Sequence, residues 1–409
     1  MFKVPSFRAG LLLSALLANI FAGARADIVV PPSMIQKQAE RDQQAADATG
    51  NHPRDQHKQL EELRAAALGD DAAAVMPAIH ALRSMGDPAR QTLREVVRKL
   101  LARDRAVFDA VHTLPSAADL KAESDHLADE RKAARVNIDK LAHDQTLKIA
   151  HQHYDSLKAS WEKMRGAFAE ADAVTAALSR RGQLLTLWRD LMPADKQYSD
   201  GSEARLIPKI EHALGFTVAQ MTAIPDIGAG NAPAEPVLRD LCFYRACRRI
   251  EAYNATVQKC MSDPELENAR MVNGYREYLG IFPYEFDPRL VNSARGHSKE
   301  MVELKYFAHD SPVPGNKTPW DRIRKAGYAG GSGENIAFGV GKGDEAFWMW
   351  FDSPCHHQNM ASLGSTALGV GNVAVTWTQN MGSARRLMLA SPEDRKAALA
   401  NAKTPAKNG

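Results

Sequence analysis

Between Leu147 and Leu178, apolar residues recur at alternating steps of three and four: Leu147, Ala150, Tyr154, Leu157, Trp161, Met164, Phe168, Ala171, Thr175 and Leu178. Such a seam stays on one face only if the segment is a continuous helix and another helix covers it. The preceding stretch 118–142, ADLKAESDHLADERKAARVNIDKLA, offers that partner. The wider run 66–182 is rich in Ala, Leu, Glu, Lys and Arg, all good helix formers, and is punctuated by Gly86-Asp87-Pro88. An antiparallel coiled coil or small bundle is therefore expected. The aromatic stripe Tyr154, Trp161, Phe168 reads as packing within the seam. His151 and His153 are two apart on one helix, so they do not face one point and read as surface or seam residues. Helical character extends to about 260, which makes 66–260 an all-helical region.

The first 26 residues carry Lys3 and Arg8, then the apolar run LLLSALLANIFAG, then small residues at Ala24 and Ala26. That is a signal-peptide pattern with cleavage after Ala26. The apolar run is shorter than the ~20 residues a bilayer span needs, and no second run of spanning length follows. A secreted, periplasmic or envelope protein is expected, without a transmembrane span after cleavage. Residues 27–65 read as a polar linker broken by Pro53, and 383–409 as a short final element and basic tail. The 409 residues suggest two to three domains, and a formal net charge of +3 is too small to argue for nucleic acid. Export makes disulfides expected among Cys242, Cys247, Cys260 and Cys355, by pairings the spacing does not choose. A zinc site from this cluster is disfavoured because the short C-x2-C knuckles are missing. Two sequons, Asn254-Ala-Thr and Asn316-Lys-Thr, matter only in a host that glycosylates.

From 265 the character changes. Ala294, His297, Met301 and Leu304 follow helical spacing and should line a buried face. GENIAFGVG and ALGVGNVAVTWTQNMG read as strands, the second with alternation around Val373, Val375 and Trp377. DEAFWMWFDSPCHHQNM reads as a helix ending in a corner at Ser353-Pro354. This order predicts an α+β layer domain behind the helical region. Chemistry-bearing residues fall in three places: His309, Glu334, and the doublet His356-His357. Two imidazoles and a carboxylate could hold Zn²⁺ or another divalent metal with an open position, or serve as an acid–base set; a structural polar cluster is the plain alternative. Adjacent histidines project differently, so only one of the doublet is expected to face His309 and Glu334. Of Trp348 and Trp350, one is expected to pack inward and the other to lie nearer the cleft rim.

The segment 267–382 resembles the CAP superfamily of cysteine-rich secretory proteins, antigen 5 and pathogenesis-related proteins (SCP-like extracellular domains). The resemblance is carried by MVNGYREYLGIFPYEFDPRLVNSARGHSKEM, YFAHDSP, PWDRIRKAGY, GENIAFG, WFDSPCHHQNM and TWTQNMG in order. It implies a three-layer α–β–α sandwich over 265–382, with a cleft of two His and two acids. By motif the first His is His309, the Glu is Glu334 and the second His is His356, which is then expected to face His309 and Glu334 while His357 faces solvent. The fourth position, a Glu in animal and plant members, is Ser353 here, with Glu345 or Asp352 as candidate carboxylates. The shorter corner is similar to bacterial members. Cys355 stands where Gly is usual and is read as a disulfide partner or turn filler.

Three functions follow. The first is an extracellular binding module whose cleft takes a divalent metal, a lipid- or sterol-like ligand, or a protein partner. The second is a hydrolase, protease-like, using His309, Glu334 and His356, or Ser353 or Cys355 with His356. The third is a structural homo-oligomer joined through the helical region.

Overall fold

A computed structural model describes residues 53–400 apart from 70, 111–113, 142–143 and most of 196–232. The signal segment 1–26, most of the linker and the end of the basic tail lie outside the described residues. Near Lys99 the chain divides into two compact units. In the first, α1 (Pro53–Leu68) and α2 (Ala72–Ser84) pack together, followed by the start of α3 (Arg90–Asp109). Pro53, expected as a break in the linker, instead opens α1, where its missing N–H would be unsatisfied anyway. The Asp71 carboxylate caps α2 by accepting from Ala73 N–H at 3.0 Å. Arg64 reaches Glu95 at 2.8 Å.

The second unit contains the seam. Helix α4 (Ala117–Asp139) and the 48-residue α5 (Asp144–Leu191) form the expected hairpin. Lys163 of α5 pairs with Glu123 and His153 with Glu130, so residue numbers rise on one helix as they fall on the other. Ala150, Tyr154, Leu157, Trp161, Met164, Phe168 and Ala171 are buried, which fixes the face the spacing marked. Helix α6 (Pro236–Val257), capped by Glu235, locks onto both. Asp240 of α6 takes Arg131 and Ser124 of α4 at 2.9 and 2.6 Å, and Arg165 of α5 holds Glu251 of α6 at 2.9 Å.

The expected disulfides are absent: none of the four cysteines is bridged to another. Cys242 and Cys247 lie five residues apart on α6, about 7.5 Å along the axis, beyond the ~7 Å Cα separation a bridge spans. Cys260 follows the far end of the same helix, so neither can turn back to it. Cys355 is exposed. Asn254 is buried and bonds the Tyr284 carbonyl and the Phe286 N–H, which closes that sequon.

The rest of this unit is an α+β sandwich. Its elements are α7 (Asp263–Tyr278), β1 (Glu285–Phe286), α8 (Pro288–Leu304), α9 (Pro319–Lys325), β2 (Gly331–Phe338), α10 (Gly343–Phe351), α11 (Pro354–Met360), β3 (Ala367–Val373), β4 (Thr376–Gly382) and a final α12 (Pro392–Ala400). Strand order is β1-β3-β4-β2, with β1–β3 parallel and the other pairs antiparallel. The alternation read through Val375 as one strand is a hairpin. Val373 pairs with Thr376 across a two-residue turn, where Ala374 has φ 53°. Ala at positive φ carries no glycine or asparagine signal, which hid the turn.

Helix α8 lies on one face of the sheet and α7 on the other. Gly369 and Gly371 of β3 point at α8, and a Cβ on either would overlap its backbone at Leu290–Val291 or Ala294–Arg295. Leu368 and Val370, on the opposite face, join the core with Ala269, Val272 and Tyr275 of α7. That core runs on without interruption into Trp161, Leu157 and Leu127 of the helical hairpin. The boundary expected near 260–265 therefore falls inside one hydrophobic core. Ala294, His297 and Met301 are buried as their spacing indicated, whereas Leu304 in the last turn of α8 is exposed.

Candidate functional site

Strand β2 is an edge strand, and the candidate cleft straddles it. Successive residues of a strand face opposite ways, so Glu334 turns toward the α8 layer and Asn335 toward the α11 layer. Glu334 is buried, and a carboxylate taken from water needs a partner. Arg322, from the single buried turn of α9, supplies it. Its Nη2 donates to Oε1 and Oε2 at 2.9 and 2.8 Å, with side-chain exposures of 3% and 2% for the pair. The same guanidinium holds the carbonyls of His309, Asn316 and Lys317. One side chain thus fixes both Glu334 and the loop that presents His309.

His309 is half-exposed, and its Nδ1–H donates to Glu334 Oε1 at 2.9 Å. An ionised carboxylate only accepts, so this contact places a proton on Nδ1, and in the neutral ring the lone pair is then on Nε2. His297 of α8 sits behind, its Nε2 3.1 Å from the Ala308 carbonyl and 3.9 Å from Glu334 Oε1. Burial holds the His297 pKa below its usual value, more strongly than Glu334 raises it.

From the other layer comes His356, in the first turn of α11. Its Nδ1 lies 2.8 Å from Ser353 Oγ, at the residue that caps this helix. Its carbonyl accepts from Asn335 Nδ2 at 3.1 Å. Asn335 in turn bonds Gln379, and Gln379 bonds Asn268 of α7, so a buried amide relay ties α11 to the sheet and to α7. Burial, and next the neighbouring His309 ring, lower the His356 pKa below its usual value, which favours the neutral imidazole. Nε2 of neither His309 nor His356 bonds a described residue.

The structure therefore pairs His309 with Glu334 and His356 with Ser353, and leaves the other candidates elsewhere. Glu345 accepts from the Lys342 N–H at the start of its own helix. Asp352 is 2.6 Å from His151 Nε2 on α5. His357, expected to face solvent, is fully buried. It bonds Tyr275 Oη and the Phe351 carbonyl at 2.7 Å each and packs on both rings. The reason is that α11 docks on α7 and α4, which turns the second histidine inward. Trp350 is buried, with its N–H on the Ile336 carbonyl. Trp348 lies not at the cleft rim but against His151 and Tyr154 of α5.

Arg322 and Asn335 were not singled out from sequence, and His297 was read only as part of a buried helix face, although each lies in or beside a motif that was. The missed signal is chemical: a carboxylate destined for a sheet interior needs a cation. PWDRIRK offers Arg322 one turn from an N-terminal capping box at Thr318 and Asp321.

The family model described as "CAP: Cysteine-rich secretory protein family" matches residues 269–380. Among curated proteins, the uncharacterized protein YkwD of Bacillus subtilis is 34% identical over 118 residues, covering 28% of this chain and 45% of that one. The uncharacterized membrane protein YlbC of the same organism is 31% identical over 125 residues, covering 30% and 35%. The chain thus spans less than half the length of these relatives. An extracellular protein containing a SCP domain from Bacillus anthracis is similar at 30% identity and TM-score 0.27, covering 29% of this chain and 41% of its own. An outer surface protein of Borrelia burgdorferi matches at 18% identity and TM-score 0.26, covering 29% and 90%. Motif order, sandwich and family match agree: residues 269–380 form a CAP domain of the cysteine-rich secretory protein family, carried behind a helical hairpin.

Proposed function

We propose that this extracellular-type CAP protein is a binding module whose cleft holds a divalent cation, zinc foremost, between His309 and His356. One observation carries the reading. Each histidine has its Nδ1 anchored by a fixed oxygen, Glu334 or Ser353, and its Nε2 left unbonded. Anchoring the far nitrogen is how proteins orient imidazole ligands and raise their basicity. Glu334 serves here as the orienting group and not as a third ligand, because Arg322 occupies both its oxygens. Among the described residues no group of three or more His, Cys, Asp and Glu side chains gathers as a metal site. Two imidazoles with water completing the shell fit a modestly held, exchangeable cation.

Metal content of the purified protein after zinc loading and dialysis tests this. Stoichiometric zinc is expected in the unaltered chain and lost in His309→Ala and in His356→Ala. Zinc kept by both variants, or absent from the unaltered chain, refutes it. Hydrolysis is the weaker alternative, since Ser353 meets His356 at Nδ1 and no carboxylate stands behind that ring as a triad requires. An apolar ligand or partner at the same cleft is favoured by Phe307 and Phe338. These exposed rings meet in a tilted arrangement with centroids 6.0 Å apart, close in sequence to His309 and Glu334. Alanine at both should weaken sterol or fatty-acid binding without touching zinc. The basic, apolar and A-x-A segments within 1–26 support export. No helix among the described residues is long and apolar enough to cross a membrane.

A further inference from the structure

A cavity of about 240 Å³ opens between α8 and the end of α9, apart from the two histidines of the cleft. Its α8 wall is Asn292, Ser293, Gly296 and His297, all on one helical face. Opposite stand Arg322, Lys325 and Ala326. Three features of this cavity point to a ligand class. First, no carboxylate lines it among the described residues. The charge of Arg322 is answered by Glu334, which leaves Lys325 as the net charge; its Nζ donates only to the Asn316 amide oxygen, at 2.8 Å. Second, the buried Nε–H of Arg322 has no hydrogen-bond partner. A buried donor of this kind is a position where a ligand acceptor gains a hydrogen bond. Third, most of the lining is apolar, with hydroxyl and amide groups at Ser293 and Asn292.

We propose that this cavity binds a small organic monoanion, a short-chain carboxylate, with its oxygens at Lys325, the Arg322 Nε–H and the Asn292–Ser293 edge and its alkyl part over Gly296 and Ala326. One net positive charge suits a monoanion better than a phosphate dianion. The volume holds about eight waters at ~30 Å³ each, which is room for a chain of about four to six carbons. The site also communicates with the cleft. Ser293 bonds Asn380, whose amide, oriented to satisfy its neighbours, donates to Glu334 Oε2 at 3.0 Å. Occupancy is therefore felt at the carboxylate that orients His309. The inference stands independently of the zinc reading, because its ligand and its variants leave both histidines untouched.

The test is an amide NMR titration of the full chain with sodium butyrate, beside butylammonium chloride and inorganic phosphate. Two variants accompany it. Lys325→Glu reverses the exposed charge. Gly296→Leu crowds the cavity, and a Cβ built there meets nothing within 4 Å. Saturable butyrate shifts centred on residues 292–297 and 322–326, weakened about tenfold or more by either variant, are expected. Absence of saturation overturns the proposal, as does affinity unchanged in either variant. So does binding of butylammonium or phosphate as tight as that of butyrate.

Discussion

Replacing Arg322 by Met leaves the Glu334 carboxylate, 2% exposed at its side chain, with His309 and Asn380 as its remaining partners. Breaking a buried ion pair from one side costs about 3–5 kcal/mol, because the surviving charge is stranded. Three carbonyls, those of His309, Asn316 and Lys317, lose a donor in the same step. Replacing Glu334 by Gln instead leaves the guanidinium its three carbonyl acceptors, so the loss should be smaller, about 1–3 kcal/mol. The double variant Arg322→Met/Glu334→Gln buries no net charge and should recover part of the Arg322→Met loss. A non-additivity of at least about 1 kcal/mol is expected for groups in direct contact. Urea unfolding followed by tryptophan fluorescence reads all three, since Trp350 and Trp377 are buried in this domain. A loss under about 1 kcal/mol for Arg322→Met, or strict additivity in the cycle, would refute the claim that this ion pair organises the site.

Further consequences concern the packing around the site. The buried His357 imidazole is pushed down to about 4, so its stabilising contribution is present above its unfolded pKa of 6.5 and lost as pH falls toward 4. Glu277 works in the opposite sense. Burial, and then the neighbouring Glu251, raise it to about 7, so its contribution is present below 4.5 and lost as pH rises through 7. Unfolding free energies of His357→Gln and Glu277→Gln across pH 4–7 should therefore depart from the parent with opposite slopes; parallel curves would contradict both assignments. Gly371→Val should cost about 1–3 kcal/mol or more through overlap with the α8 backbone, while Gly364→Ala, in open space, should change the thermal midpoint little. Tyr154→Ala removes a ring that meets Tyr275, Trp348 and Phe351. Hydrogen exchange should rise on α5 and α10 together, and a rise confined to α5 would show that the hairpin and the sandwich do not share a core.

The helical hairpin was legible because a seam repeats its signal over many turns, and the buried face of α5 matches it from Ala150 to Ala171 before shifting to Val174 and Ala177. His309, Glu334 and His356 were legible because they sit in short motifs of fixed order. What stayed hidden was set by tertiary neighbours. Nothing local says that Arg322 must pair with Glu334, twelve residues away across a turn, or that His357 points at Tyr275. The corner at Ser353-Pro354 fixes a direction only once α11 has docked on α7. The hairpin turn at Ala374-Val375 escaped because alanine rarely takes positive φ. The cysteines misled because a secretory context favours disulfides, while a single straight helix keeps Cys242 and Cys247 from reaching Cys260.

The central claim is that the cleft presents two imidazole Nε2 atoms, one from each layer, to a single cation. The most direct measurement is a long-range proton–nitrogen spectrum of the histidine rings during zinc titration. The Nε2 signals of His309 and His356 should shift together and saturate at one stoichiometry, while those of the buried His297 and His357 stay fixed. A shift of only one of the pair, of a different pair, or of none, would contradict the account.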